Sequence, residues 1–273
     1  MNRGTAAAQR GLSVPELLVT ILVSTALMAA TYRLFVHFQK QTLAQGRIAQ
    51  TQSQLFPAQA SLEKNLRRAG SGIPMISKIN VAGTPVVQSA LQLSRGAGGS
   101  DTLIVRGNFT NVKSQLINPV GSTAASVDLQ LLAGTAAKFA QGDYVVLAAN
   151  GESEHVRVAG VNAGNSTLRT DTRINNYPAG TTVDLVISVK YLVAADSSLR
   201  LVQPGRNVVL LDKGVAQLNF KLVGFDGQVS TAPPWISLDI VQFVAYTLRI
   251  RIPKVGGRSL DRTVSGKILL RNI

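Results

Sequence analysis

The sequence predicts an α+β fold, with one long amino-terminal helix packed on a mostly antiparallel β-sheet head. The helix reads as transmembrane in its first half and amphipathic in its second. Three observations carry this: an apolar run over residues 12–32, helical three- and four-residue spacing continuing to Ala69, and a change beyond Lys78 to short β-branched runs. At 273 residues, with 45% apolar and 15% charged side chains, the composition is globular and excludes wholesale disorder. The absence of cysteine excludes a disulfide scaffold, a thiol nucleophile and a thiolate-bound metal, and two histidines are too few for a His-rich metal site. No cofactor is expected. Lys and Arg number 28 against 14 Asp and Glu, a net charge of +14. Such a surplus favours anionic lipid, nucleic acid or an acidic partner, or serves simply as a soluble cationic surface.

The first element is the apolar span. Residues 1–11 are polar and basic, with Arg3 and Arg10 and no acid, and residues 12–32 follow with Glu16 as their only charge. As a helix those twenty-one residues reach about 31 Å, enough to cross a bilayer core. The basic start predicts a cytoplasmic amino terminus, one crossing and an exported carboxyl-terminal head. A cleaved secretory signal fits less well, because Leu27-Met28-Ala29 lacks the small-x-small form. A plain signal anchor leaves Glu16 unexplained. A carboxylate among lipid tails costs on the order of 2–3 kcal/mol near mid-membrane, so an acid there points to a partner.

The run Gly11-Leu12-Ser13-Val14-Pro15-Glu16-Leu17-Leu18 resembles the processing signature of type IV prepilins and pseudopilins. In that family a membrane prepilin peptidase cuts after the glycine and methylates the new amino terminus. The resemblance implies a cleaved leader at 1–11, cleavage between Gly11 and Leu12, and N-methylation of Leu12. The family's usual first mature residue is Phe, and apolar Leu12 stands in its place. Glu16 becomes the fifth mature residue, the position of the family's assembly glutamate. The physical logic is independent of the family. Cleavage sets a cationic α-amine close to a carboxylate where either charge alone is expensive, and an axially staggered neighbour allows Glu16 to meet the Leu12 amine of another subunit. Pro15 is tolerated because the first turn of a helix leaves its N–H groups unpaired in any case.

Over residues 33–70 the helix becomes amphipathic, with Leu34, Phe38, Ile48, Leu55, Leu62, Leu66 and Ala69 near one face. Gly46 and Pro57 are the expected weak points, and Gly70-Ser71-Gly72-Ile73-Pro74 the expected stop. Residues 71–273 form the β-rich globular head. Strands are predicted at 101–106, 127–132, 143–149, 154–158, 182–192, 199–202, 215–223, 236–252 (broken once) and 263–270. Asn150-Gly151 marks a tight hairpin between the third and fourth of these. A β-rich insertion is expected between Asp101 and Thr182.

Leu66-Arg67-Arg68-Ala69-Gly70, Ser188 to Val193, Gly214 to Phe220 and Leu270-Arg271-Asn272 are similar to segments of the PilW-like minor pilins. The minor pseudopilin J family of type II secretion shares the same plan. What either resemblance implies is a non-enzymatic structural subunit that initiates or caps a filament. Its partners would be prepilin peptidase, other minor and major pilins, the inner-membrane pilus assembly machinery and membrane lipid. On the minor-pilin resemblance the subunit would sit as a single-pass inner-membrane protein and reach the cell surface after assembly, supporting motility, adhesion or DNA uptake, whereas the pseudopilin resemblance would place it in a type II secretion system.

Two further groups of polar residues bear on chemistry. Glu152, Glu154 and His155 lie beside the predicted hairpin turn and read as a solvated hairpin end rather than a metal site. Near the carboxyl terminus Arg249, Arg251, Lys254, Arg258, Arg262, Lys267 and Arg271 face one acid, Asp261. Strand alternation puts Arg249 and Arg251 on one face, opposite Leu248, Ile250 and Ile252. With Arg258 and Arg262 they could contact DNA or another polyanion, the basis of a third reading as a membrane-anchored polyanion-binding protein. No aromatics interleave for base stacking, so a solvated sheet face is the preferred reading.

Overall fold

A serine starts and a pair of glycines stops one helix, α1 (Val14–Arg67), of 54 residues. The computed structural model describes residues 13–72, 76–81, 84–96, 99–122, 126–150, 152–171, 174–230, 241–252 and 259–270. Gly46 and Pro57 both lie inside α1. Pro57 faces solvent, so the carbonyl it leaves unpaired one turn earlier can meet water. Past Arg68 the chain turns through Gly70 (φ 73°) and Gly72 (φ 72°), left-handed conformations that favour glycine.

The head comprises eighteen strands among the described residues. These are β1 (Ile76–Val81), β2 (Thr84–Ser89), β3 (Leu91–Arg95), β4 (Asp101–Gly107), β5 (Lys113–Gln115) and β6 (Val120–Ser122). Next come β7 (Asp128–Gln130), β8 (Tyr144–Ala149), β9 (Glu152–Asn162), β10 (Thr167–Thr170), β11 (Ile174–Tyr177) and β12 (Thr182–Val193). The last six are β13 (Leu199–Gln203), β14 (Arg206–Leu211), β15 (Val215–Gly224), β16 (Val229–Ser230), β17 (Val241–Ile252) and β18 (Leu260–Leu269). The fold class is therefore as expected, a long amino-terminal helix with a mostly antiparallel head. One parallel pair, β1 with β9, is the exception among the described residues. The β8–β9 hairpin turns at Asn150 (φ 53°), the left-handed conformation that the Asn-Gly pair predicts. Residues 236–240 of the long predicted strand lie outside the described residues.

Strand β12 organises the larger, 12-stranded sheet. Its first half pairs with β8 and β5, and its second half with β4 and β13. Inward-facing Val189 and Tyr191 join the core beneath α1, while Val183 and Leu185 join a second core built from residues 116–185. Apart from Val183 and Leu185 of β12, that second core falls within the stretch expected as an insertion, and β12 links it to the first. The smaller, four-stranded sheet, in the order β16-β15-β17-β18, closes the first core from another side, and β6 and β11 pair as a separate ribbon.

The helix stripe packs later than its periodicity implies. Leu34 and Phe38 are 58% and 61% exposed, Ile48 is half-buried, and close packing begins at Leu55 and continues through Ala58, Leu62, Leu66 and Ala69. Two tyrosines lock this face. Tyr191 of β12 donates to the Ser61 carbonyl at 3.0 Å and accepts from Asn65 Nδ2 at 2.7 Å. Tyr246 of β17 accepts from Gln59 Nε2 at 3.1 Å and donates to Glu63 Oε1 at 3.3 Å. Burial raises the pKa of both phenols, so both stay protonated donors. The end of α1 is tied to β4, where Gly70 N–H donates to the Arg106 carbonyl at 2.9 Å and Asn108 N–H to the Ser71 carbonyl at 2.7 Å.

Gly266 of β18 stands directly opposite Tyr246, and a Cβ there would fall 2.5 Å from the ring. Gly266→Val should therefore displace the tyrosine from Gln59 and Glu63 and destabilise the fold by about 1–3 kcal/mol. Leu66→Ala, at a side chain with 0% exposure, should cost about 2–5 kcal/mol. Urea unfolding of the full chain in detergent measures both, and wild-type stability for Gly266→Val would contradict the tyrosine lock.

Candidate functional site: the helix start and the cationic sheet face

The backbone of Ser13 is extended (φ −75°, ψ 150°), the conformation of a helix N-cap. Its Oγ accepts from Glu16 N–H at 3.5 Å and donates to Glu16 Oε2 at 3.0 Å, and Ser13 N–H donates to the same Oε2 at 2.9 Å. This is a reciprocal capping box in which the Glu16 carboxylate folds back over the helix start. Gly11 and Leu12 lie outside the described residues. Farther along, the hydroxyls of Thr20, Thr25 and Thr31 donate to the carbonyls of Glu16, Ile21 and Leu27 at 2.7–2.9 Å. The threonines of the apolar span thus satisfy themselves within the helix, as a water-free medium demands. Glu16 is the only ionisable side chain between Ser13 and Thr31.

Among the described residues nothing packs around this span. No residue from Ser13 to Leu34 is buried, and Val14, Leu18, Leu22 and Met28 are each more than 60% exposed. The helix is long and apolar enough to cross a membrane, with a mean hydropathy of 1.8 in its best window. His37, five residues past Tyr32, is likewise exposed.

The basic carboxyl-terminal stretch divides. Arg249 and Arg251 are exposed on the outer face of β17, with Leu248, Ile250 and Ile252 buried beneath, as alternation predicts. Both guanidiniums bind Asp261 of β18, at 2.6 Å and 3.1 Å, and these contacts lower the Asp261 pKa. One carboxylate therefore offsets part of the cationic pair that a polyanion would need. Arg262 is opposite Ile250 in the register, on the other face from Arg249 and Arg251, so the four arginines do not form one stripe. Arg258 lies outside the described residues, as do Lys254 and Arg271. Beside Arg251 a groove of about 540 Å³ opens between the helix and the sheet, with Arg47 and Lys213 on its wall.

The expectation of a solvated hairpin end at Glu154 and His155 is corrected. Their side chains are 1% and 2% exposed, in a stretch of β9 that is interior to the sheet, with β8 on one side and β1 on the other. Glu154 Oε2 accepts from Asn175 N–H at 3.0 Å. Burial, then the neighbouring Arg106 charge, pushes the His155 pKa down to about 4. Strand β1 was not foreseen from the sequence, and without it the hairpin has an open side. Among the described residues no three His, Asp or Glu side chains converge as a metal site would require.

No protein-family model, curated protein or solved structure matches the chain.

His155 folds neutral, so its contribution is complete above its unfolded pKa near 6.5 and is lost as pH falls toward about 4. That interval corresponds to about 3 kcal/mol at ~1.4 kcal/mol per pH unit. Urea midpoints measured from pH 7 to pH 4 should fall steeply for the wild type and distinctly less for His155→Gln. Equal slopes would show that the imidazole does not titrate on unfolding.

Proposed function

We propose that the chain is a PilW-like minor pilin, a structural subunit that is processed after Gly11 and helps to initiate or cap a type IV pilus. The observation that carries this is the bare apolar half of α1, with its one carboxylate at the very start and a folded β head at the other end. Such a rod leaves its apolar surface to lipid before assembly and to neighbouring helices after it. In this reading prepilin peptidase removes residues 1–11 and methylates Leu12. The amine of a neighbouring subunit then meets Glu16, whose carboxylate already accepts from Ser13. The capping box keeps that carboxylate hydrogen-bonded until the amine arrives. The head stands outside the inner membrane, and other minor pilins, the major pilin and the assembly machinery are its partners. A charge of +14 and an insertion-bearing head suit a subunit used in few copies better than a repeating shaft.

Intact-mass measurement of the chain from producing cells should show loss of residues 1–11 and gain of one methyl group. Glu16→Val should leave membrane insertion unchanged and reduce pilus number at least severalfold, counted by electron microscopy. An uncut chain, or normal piliation in Glu16→Val, would remove this reading.

A further inference from the structure

The outer face of the smaller sheet carries an apolar row that is exposed at its two ends and half-buried at its centre, Val223 and Phe243. Val229 of β16 is opposite Val223 of β15, Val223 is opposite Phe243 of β17, and Phe243 is opposite Leu269 of β18. Directly opposed residues in antiparallel strands share a face, so these four side chains form one ridge across the whole sheet, about 14 Å long at ~4.8 Å per strand. Val229 and Leu269 are 56% and 57% exposed, and Phe225 at the adjoining turn is 66% exposed. The next row is cationic. Lys221 and Lys267 flank Ala245, with Lys267 Nζ 4.5 Å from the Phe243 ring centroid. Neither lysine has an acidic partner among the described residues.

We infer that this ridge docks a second, different protein chain, through an apolar strip bordered by carboxylates. Contiguous exposed apolar rows with a charged border mark interaction surfaces. The lysine border selects an acidic counterpart, and a second copy of this chain is a poor one, since two molecules of net charge +14 would meet. A bilayer is excluded by position, a step that rests on the reading of residues 12–32 as the membrane span. The other end of β17 adjoins helix residues 47–54, its middle binds Gln59 and Glu63, and the ridge lies beyond. From Tyr32 to Glu63 the helix rises about 46 Å, well clear of lipid headgroups.

The test uses the full chain in zwitterionic phosphatidylcholine nanodiscs, with empty nanodiscs as the reference, and two fluorescein-labelled peptides, one alternating Glu with Val and the other alternating Lys with Val. Anisotropy should show the glutamate peptide binding at least about fivefold tighter. The double variant Lys221→Glu with Lys267→Glu should reverse that preference. Leu269→Ser and Val229→Ser, both at exposed positions, should each weaken the glutamate peptide by about threefold or more, whereas Arg249→Gln, remote on the same face, should change it less than twofold. Equal binding of the two peptides, or no reversal in the double variant, would overturn the inference. So would self-association of the full chain that Leu269→Ser abolishes, since the occupant would then be a second copy. Peptide binding is read on the unprocessed chain, so its failure is separable from a failure of processing at Gly11.

Discussion

Two phenolic hydroxyls, one from each sheet, converge on a single stretch of helix between Gln59 and Asn65. Both rings are fully buried, so each hydroxyl must find a partner or lose its hydration without compensation. The helix supplies those partners at two-, four- and six-residue offsets, on the flanks of the stripe that carries Leu55, Ala58, Leu62 and Leu66. Dispersion and apolar burial alone would let a helix rotate or slide by part of a turn. Four directional bonds from two different sheets fix both its rotation and its height, and everything at the helix's free end inherits that placement.

The free end is governed by a different solvent. Along residues 55–69 only one stripe is buried, while over residues 14–34 every side is apolar and every side is exposed. One continuous helix therefore joins two environments. The polar groups of the apolar part are handled locally, the threonines by carbonyls one turn back and Glu16 by the serine cap. Glu16 is the only charge between Ser13 and Tyr32, and it lies at the amino-terminal edge of that span. A carboxylate held there by two neutral donors keeps capacity for a cationic one.

The helix, its stop and the longer strands were legible because their signals are local. Hydropathy over 12–32, Gly70 and Gly72 after the last apolar position, and Asn150 at the hairpin each act through nearby backbone. The shorter strands β1, β3, β5, β10 and β14 were not legible: β5 pairs with the distant β12, and β3, β10 and β14 form hairpins with β4, β9 and β13 but are too short to show a clear alternation. The burial of Glu154 and His155 illustrates the cost. Their polar character reads as exposed until β1, which precedes β9 by some seventy residues, is placed alongside it. Leu34 and Phe38 erred in the other direction, since periodicity marks a face but not the point at which a head begins to cover it. The arginines at 249 and 251 were placed correctly by alternation. The separation of Arg262 from them depended on the register of β18, which alternation within one strand does not reveal.

The knot at the end of α1 has a mechanical consequence. Gly70 and Ser71 hydrogen-bond to the carboxyl end of β4, β4 is laddered to β12, and β12 runs on through the second core. A tug on the rod is thus delivered to the central strand rather than to a surface loop. It is then spread over the ladders that β12 makes with four neighbours, so the head resists extraction as a unit instead of peeling from one edge.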